Sequence, residues 1–223
     1  MISIALVLAF ILSLVHFISD KNASLFEKYH GNILSFSGGL LLGIVFLFLL
    51  PEVIIGNRYI NIFLLMLIGF ALFHLAEKFL YQNVLNKKDL FEDLAHLHTV
   101  GFFLNHFMLG FILFLFTKQS INLGFLLFIP ILLHVISSSM SLEHLDEELK
   151  SNSIRVLLAS STFLGALAAN YLEINNVLLY SVFAFSLGAV LYISSRDILS
   201  VKKGTIVTFL SGLVISLIIA YFF

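Results

Sequence analysis

His106 and His134 each interrupt an otherwise apolar stretch, in FFLNHFMLGFILFLF and GFLLFIPILLHVISSSMSL. An ionisable side chain at membrane depth is costly, and it usually faces a bundle interior or a pathway rather than lipid. Two neutral imidazoles on adjacent helices could bind one metal ion together. Neither segment core holds a carboxylate, so such a site has no negative charge to offset the desolvation of a cation. Asn105 precedes His106, and Ser137, Ser138, Ser139 and Ser141 follow His134. Ser138 is one helical turn from His134 and on its face. His134 and His106 are the candidate direct ligands, with Asn105 and Ser138 as candidate auxiliary ones.

The elements that would position these groups follow from composition. Of 223 residues, 60% are hydrophobic and 11% charged, whereas soluble domains run at about 45–50% apolar and about 25% charged. With a mean hydropathy of +1.07, this reads as an all-α integral membrane protein. It forms a single transmembrane domain, 1–223, with no room for a sizeable extramembrane unit. Eight apolar segments are marked at about 2–19, 33–54, 60–81, 98–117, 121–142, 154–171, 176–195 and 204–223. Each must satisfy its backbone polar groups internally in lipid, so each is predicted to be a helix. The first has no basic leader and no small-x-small cleavage site, and is read as retained. The net charge of −1 suggests no nucleic-acid partner. The absence of cysteine removes disulfides, thiolate ligands and a Cys nucleophile.

Alternating the loops from a non-cytoplasmic N-terminus places Lys21, Lys28, Lys78, Lys87, Lys88, Lys150, Arg155, Arg196, Lys202 and Lys203 on one side. Only Arg58 and Lys118 fall on the other. Basic residues gather on the cytoplasmic side, so both termini are expected outside the cytoplasm of a cell-membrane protein. At about 1.5 Å per residue, His106 and His134 each lie about 10–12 Å from the cytoplasmic ends of their helices. The short TKQS turn makes those helices neighbours, so the two imidazoles sit at matching depth.

Other polar clusters have weaker claims. Gly39 and Gly43 have the small-xxx-small spacing that allows close helix contact, and Glu52 could collect cations at a pore mouth. His74, Glu77 and Lys78 share a helix face. The stretch NKKDLFEDLAHLH, read as a loop, holds Asp89, Glu92, Asp93, His96 and His98. SLEHLDEELK brings Glu143, His144, Asp146, Glu147 and Glu148, an acidic helical extension on the same side. Each of these also reads as a solvated or interfacial cluster. Segments 2 and 7 share a loose Gly-x-hydrophobic pattern that would fit a structural repeat or chance. No nucleotide loop, HExxH or Gly-x-Ser-x-Gly occurs, and nothing points to an enzyme.

Several stretches together resemble the ZIP (Zrt/Irt-like) family of divalent metal transporters. GGLLLGIVFLFLLPEV is similar to the family's second helix, GxxLGxxFLHLLPEA. GFALFHLAEKF is similar to its third, before a His-rich cytoplasmic loop. LNHFMLG and LLHVISSSM fall where the family carries HNxxDG and HExPxE, and SLGAVLYISSRDIL is similar to its seventh helix. Against these patterns Asn105 and His106 are exchanged. Leu109 and Val135 replace acids, Ser137 replaces Pro, Ser138 replaces a ligand, and Phe48 stands for a His. Gly110 and His134 are kept.

The resemblance implies an eight-helix 3+2+3 bundle with helices 4 and 5 central. It implies passage of a divalent cation of the zinc, iron or manganese class into the cytoplasm, by a rocking or elevator motion. The ion is substrate, and no resident cofactor is required. His96, His98, Glu143 and His144 would receive it on the cytoplasmic side. The expected surroundings are the lipid bilayer, with a homodimer as a candidate assembly. Two rivals stay open: a transport-inactive paralogue with a structural or regulatory role, and a carrier of another small solute along the serine face of helix 5.

Overall fold

A computed structural model describes residues 3–22, 27–141, 151–172, 175–193, 195 and 204–222. Among these the chain is all-α, with eight helices. They are α1 (Ile4–Lys21), α2 (His30–Ile44, continued by a π segment Val45–Leu49 and by Leu50–Ile55), α3 (Ile62–Asn83), α4 (Lys87–Gln119), α5 (Ile121–Ser141), α6 (Asn152–Tyr171), α7 (Asn176–Ile193) and α8 (Ile206–Phe222). Five stretches are long and apolar enough to cross a membrane: Ile4–Lys21, Gly31–Arg58, Ile62–Asn83, Lys88–Gln119 and Asn152–Tyr171. Several apolar helices of this kind suggest a multi-pass membrane protein. The outward faces agree, since Phe10, Leu67, Leu75, Phe79, Val207 and Leu217 are all more than half exposed. Rows of large exposed apolar side chains suit lipid and would be an aggregation hazard in water.

Local sequence sets the helix starts. A side-chain oxygen at the N-cap satisfies a backbone N–H that the first turn leaves unpaired. Ser3 accepts from Leu6 N at 3.3 Å, Asn61 from Leu64 N at 3.1 Å, Asn86 from Lys88 N at 3.1 Å, and Ser151 from Ile154 N at 3.3 Å. In α2, Pro51 has no N–H to give the preceding turn, and the chain widens just before it. Leu50 N there reaches back to Val45 O, the five-residue step of a π turn.

The stretch 87–98 differs from its reading as a loop. It forms the first turns of α4, which starts at Lys87 rather than near 98. Leu90, Leu94 and Ala95 recur at helical spacing, and Leu94 and Ala95 are buried. Their burial outweighs the density of charge around them.

Packing sorts the helices into neighbourhoods. α1 and α4 contact each other and each contacts both α5 and α6, while α8 lies along α2, and α7 lies along α3. Links between these sets run from α2 to α5, from the Leu50–Ile55 end of α2 to α7, and from α3 and α7 to α4. Three of the contacts are made by one glycine from each helix. A Cβ at Gly39 would strike the Phe209 carbonyl of α8, and one at Gly212 the Phe36 carbonyl of α2. Gly69 and Gly188 stand in the same relation to Phe185 and Met66, and Gly110 and Gly165 to Thr162 and Phe107. Backbone thus meets backbone at the α2–α8, α3–α7 and α4–α6 crossings, as small residues permit.

Two polar contacts tie α1 to α6. Ser13 Oγ accepts from Phe163 N at 3.1 Å. Asp20 meets Arg155 Nε at 3.2 Å near the helix ends.

Candidate functional site

The α4–α5 turn is short because α4 ends at Gln119 and α5 begins at Ile121. The antiparallel pair brings the two predicted histidines together, with ring centroids 5.7 Å apart and planes 17° apart. His106 is 0% and His134 5% exposed. Asn105 is buried beside them and Ser138 partly so.

Hydrogen bonds define the state of each ring. His106 Nδ1 lies 3.0 Å from the Phe102 carbonyl. A carbonyl only accepts, so Nδ1 carries the proton and Nε2 presents a lone pair. That lone pair faces Ser138 Oγ at 3.1 Å. The same hydroxyl is 2.7 Å from the His134 carbonyl one turn back. It is also 3.2 Å from the Val135 carbonyl, so Ser138 has one proton and three acceptors for it. Asn105 Nδ2 donates to His134 Nε2 at 3.2 Å, which makes that nitrogen an acceptor too. The Asn105 Oδ1 is buried with no hydrogen-bond partner.

The arrangement therefore holds two imidazole lone pairs, each capped by a neutral donor that can turn away. An incoming cation could displace both donors. Rotation of the Asn105 amide would then present Oδ1, and Ser138, its proton returned to the His134 carbonyl, would present Oγ. The anchoring of His106 Nδ1 on a backbone carbonyl is the support that metal-binding histidines commonly have. Among the described residues, however, no group of three or more His, Asp or Glu side chains is disposed to hold a metal ion as it stands.

One member of the cluster escapes the sequence reading. His16, from α1, is 1% exposed. Its ring centroid lies 5.0 Å from that of His106 and 5.1 Å from that of Phe102. Three helices, α1, α4 and α5, thus each give an imidazole to one buried row. On its other side Asn105 lines a cavity of about 310 Å³ between α3, α4 and α7, walled mainly by Leu65, Phe73, Leu104, Met108 and Phe185.

The remaining candidates stand apart. His96 lies on the exposed side of α4. The side chain of His98, and Glu143 and His144 entirely, fall outside the described residues. The His74 and Glu77 face meets α7, where Tyr192 Oη donates to Glu77 Oε2 at 2.5 Å and the His74 ring lies 5.7 Å from that of Tyr192. Glu77 is therefore engaged with a neighbouring helix. Glu52 follows Pro51 on α2, half-buried.

No protein-family model matches this chain, and no curated protein matches it.

Proposed function

We infer that this chain is a ZIP-like membrane transporter that passes a divalent metal cation of the zinc, iron or manganese class into the cytoplasm. His106 and His134 bind the ion through Nε2, and Asn105 and Ser138 supply auxiliary oxygen. The observation that carries this reading is the pair of Nε2 lone pairs on adjacent helices, each facing a displaceable neutral donor. Imidazole suits zinc and iron. A site without carboxylates would bind such an ion weakly, as a carrier that must release its cargo requires.

The test is uptake of Zn²⁺, Cd²⁺, Mn²⁺ and Fe²⁺ into proteoliposomes. Uptake of at least one ion is expected, with a drop of tenfold or more, on the order of 1.4 kcal/mol, for His106→Ala and His134→Ala. Uptake equal to that of empty vesicles for all four ions would sink the reading.

A second reading has its own observation in favour. The Asn105–His134 and His106–Ser138 bonds engage the Nε2 of each ring within the protein, and among the described residues no acid joins them. On that reading the cluster only fastens α4 to α5, in a transport-inactive relative of structural or regulatory role. His106→Ala would then lower stability with no ion-dependent change of any kind.

A further inference from the structure

We propose that His16 is a third imidazole ligand of the His106–His134 site, so that a transition-metal ion is held by one histidine from each of α1, α4 and α5. This rests on the cation reading of that site. Three observations support it. His16 is sealed from solvent at 1% exposure. Its Nδ1 is buried with no hydrogen-bond partner, a costly condition for a polar atom that calls for a further ligand or role. Its ring lies 5.0 Å from that of His106, which in turn is 5.7 Å from that of His134.

In the tautomer with the proton on Nε2, His16 Nδ1 offers a lone pair directed by no internal bond. In this conformation the three rings do not converge on one point. Convergence to about 2.0–2.1 Å from an ion requires the rings to turn about their side-chain bonds. His106 Nδ1 is anchored on Phe102, so His16 and His134 are the rings that turn. A donor set of three neutral imidazoles with an open fourth position matches the three-histidine zinc arrangement, and it equally accepts Cu²⁺. It disfavours Mg²⁺ and Ca²⁺, which demand oxygen ligands. The third ligand also couples ion occupancy to α1. That helix is fastened to α6 by the Ser13–Phe163 and Asp20–Arg155 contacts.

The experiment counts imidazoles. The full-length protein in lipid nanodiscs is loaded with Cu²⁺ for pulsed electron paramagnetic resonance, and with Zn²⁺ for X-ray absorption and equilibrium binding. Three imidazoles are expected in the unaltered protein and two in His16→Phe. Outer-sphere partners of a metal already change affinity by about 10–100-fold, so loss of a direct ligand should weaken Zn²⁺ binding at least about tenfold. The count in unaltered protein decides the matter even if His16→Phe does not fold. Two imidazoles there, or a count and affinity indifferent to His16, overturn the third-ligand assignment and leave the two-histidine site standing. No bound ion at all overturns both.

Discussion

Ser138 Oγ sits 3.1 Å from His106 Nε2 and 2.7 Å from the His134 carbonyl, so a single hydroxyl proton is shared between a bond across the α4–α5 seam and carbonyls along α5, the Val135 carbonyl at 3.2 Å being the second. The seam therefore has a polar clasp that can open without leaving the serine unsatisfied. Most buried hydroxyls would lose their only partner on such a change.

Ser138→Ala removes this clasp and leaves the His106 lone pair buried and uncapped. Interhelical side-chain bonds in membrane proteins average about 0.6 kcal/mol, with a maximum of about 1.7. The variant should be less stable by an amount in that range, nearer the upper end because an acceptor is orphaned. Unfolding of the two proteins in matched detergent measures this.

Asn105→Asp places an anion beside His134 at nearly unchanged volume. Among the described residues the unaltered site holds no charge to compensate a cation. We expect Zn²⁺ to bind at least about tenfold more tightly, roughly 1.4 kcal/mol, and uptake to slow as release becomes limiting. Equilibrium binding in nanodiscs, with uptake in parallel, checks both halves. Unchanged affinity would mean that Asn105 does not face the ion.

The pairing of His106 with His134 was readable because two facts are local. The TKQS turn fixes α4 and α5 as neighbours, and the helical rise fixes depth. His16 had no such guide. It lies in an equally apolar segment, but about 90 residues before His106, and no short connection fixes α1 beside α4. The start of α4 was misread for another reason. Charge in NKKDLFEDLAHLH hid two ordinary helix signals, the Asn86 cap and the spacing of Leu90, Leu94 and Ala95. The close approach at Gly39 was visible in its spacing with Gly43. Its partner Gly212 was not, because nothing in one segment names the helix it will meet.

Gly165→Val should be among the most damaging single changes. Its Cβ would overlap the Phe107 carbonyl, and backbone cannot swing aside as a side chain can. Separation of α4 from α6 would cost several kcal/mol, of the order of 3 or more for overpacking against backbone. The expected result is loss of monodisperse protein after extraction, with Leu164→Val, on an exposed position of the same helix, as the tolerated control.

The lack of cysteine makes orientation directly measurable. Single cysteines at Asn57 and Gln119 should react with a membrane-impermeant maleimide from outside intact cells. Cysteines at Asn86 and Ser151 should react only after permeabilisation. The reverse pattern would invert the predicted topology and with it the proposed direction of ion passage.

The three glycine crossings also constrain how the interior could ever be reached. Where carbonyl abuts glycine, one helix cannot slide past the other without a peptide group climbing over its neighbour. The α2–α8, α3–α7 and α4–α6 couples therefore behave as welded rods. No glycine-to-carbonyl contact among the described residues joins α3 or α7 to α4, and a cavity of about 310 Å³ lies between those surfaces. Asn105 stands on that boundary with one face to the cavity and one to His134. It is the residue through which displacement of one rod against another would first be felt by the histidine row.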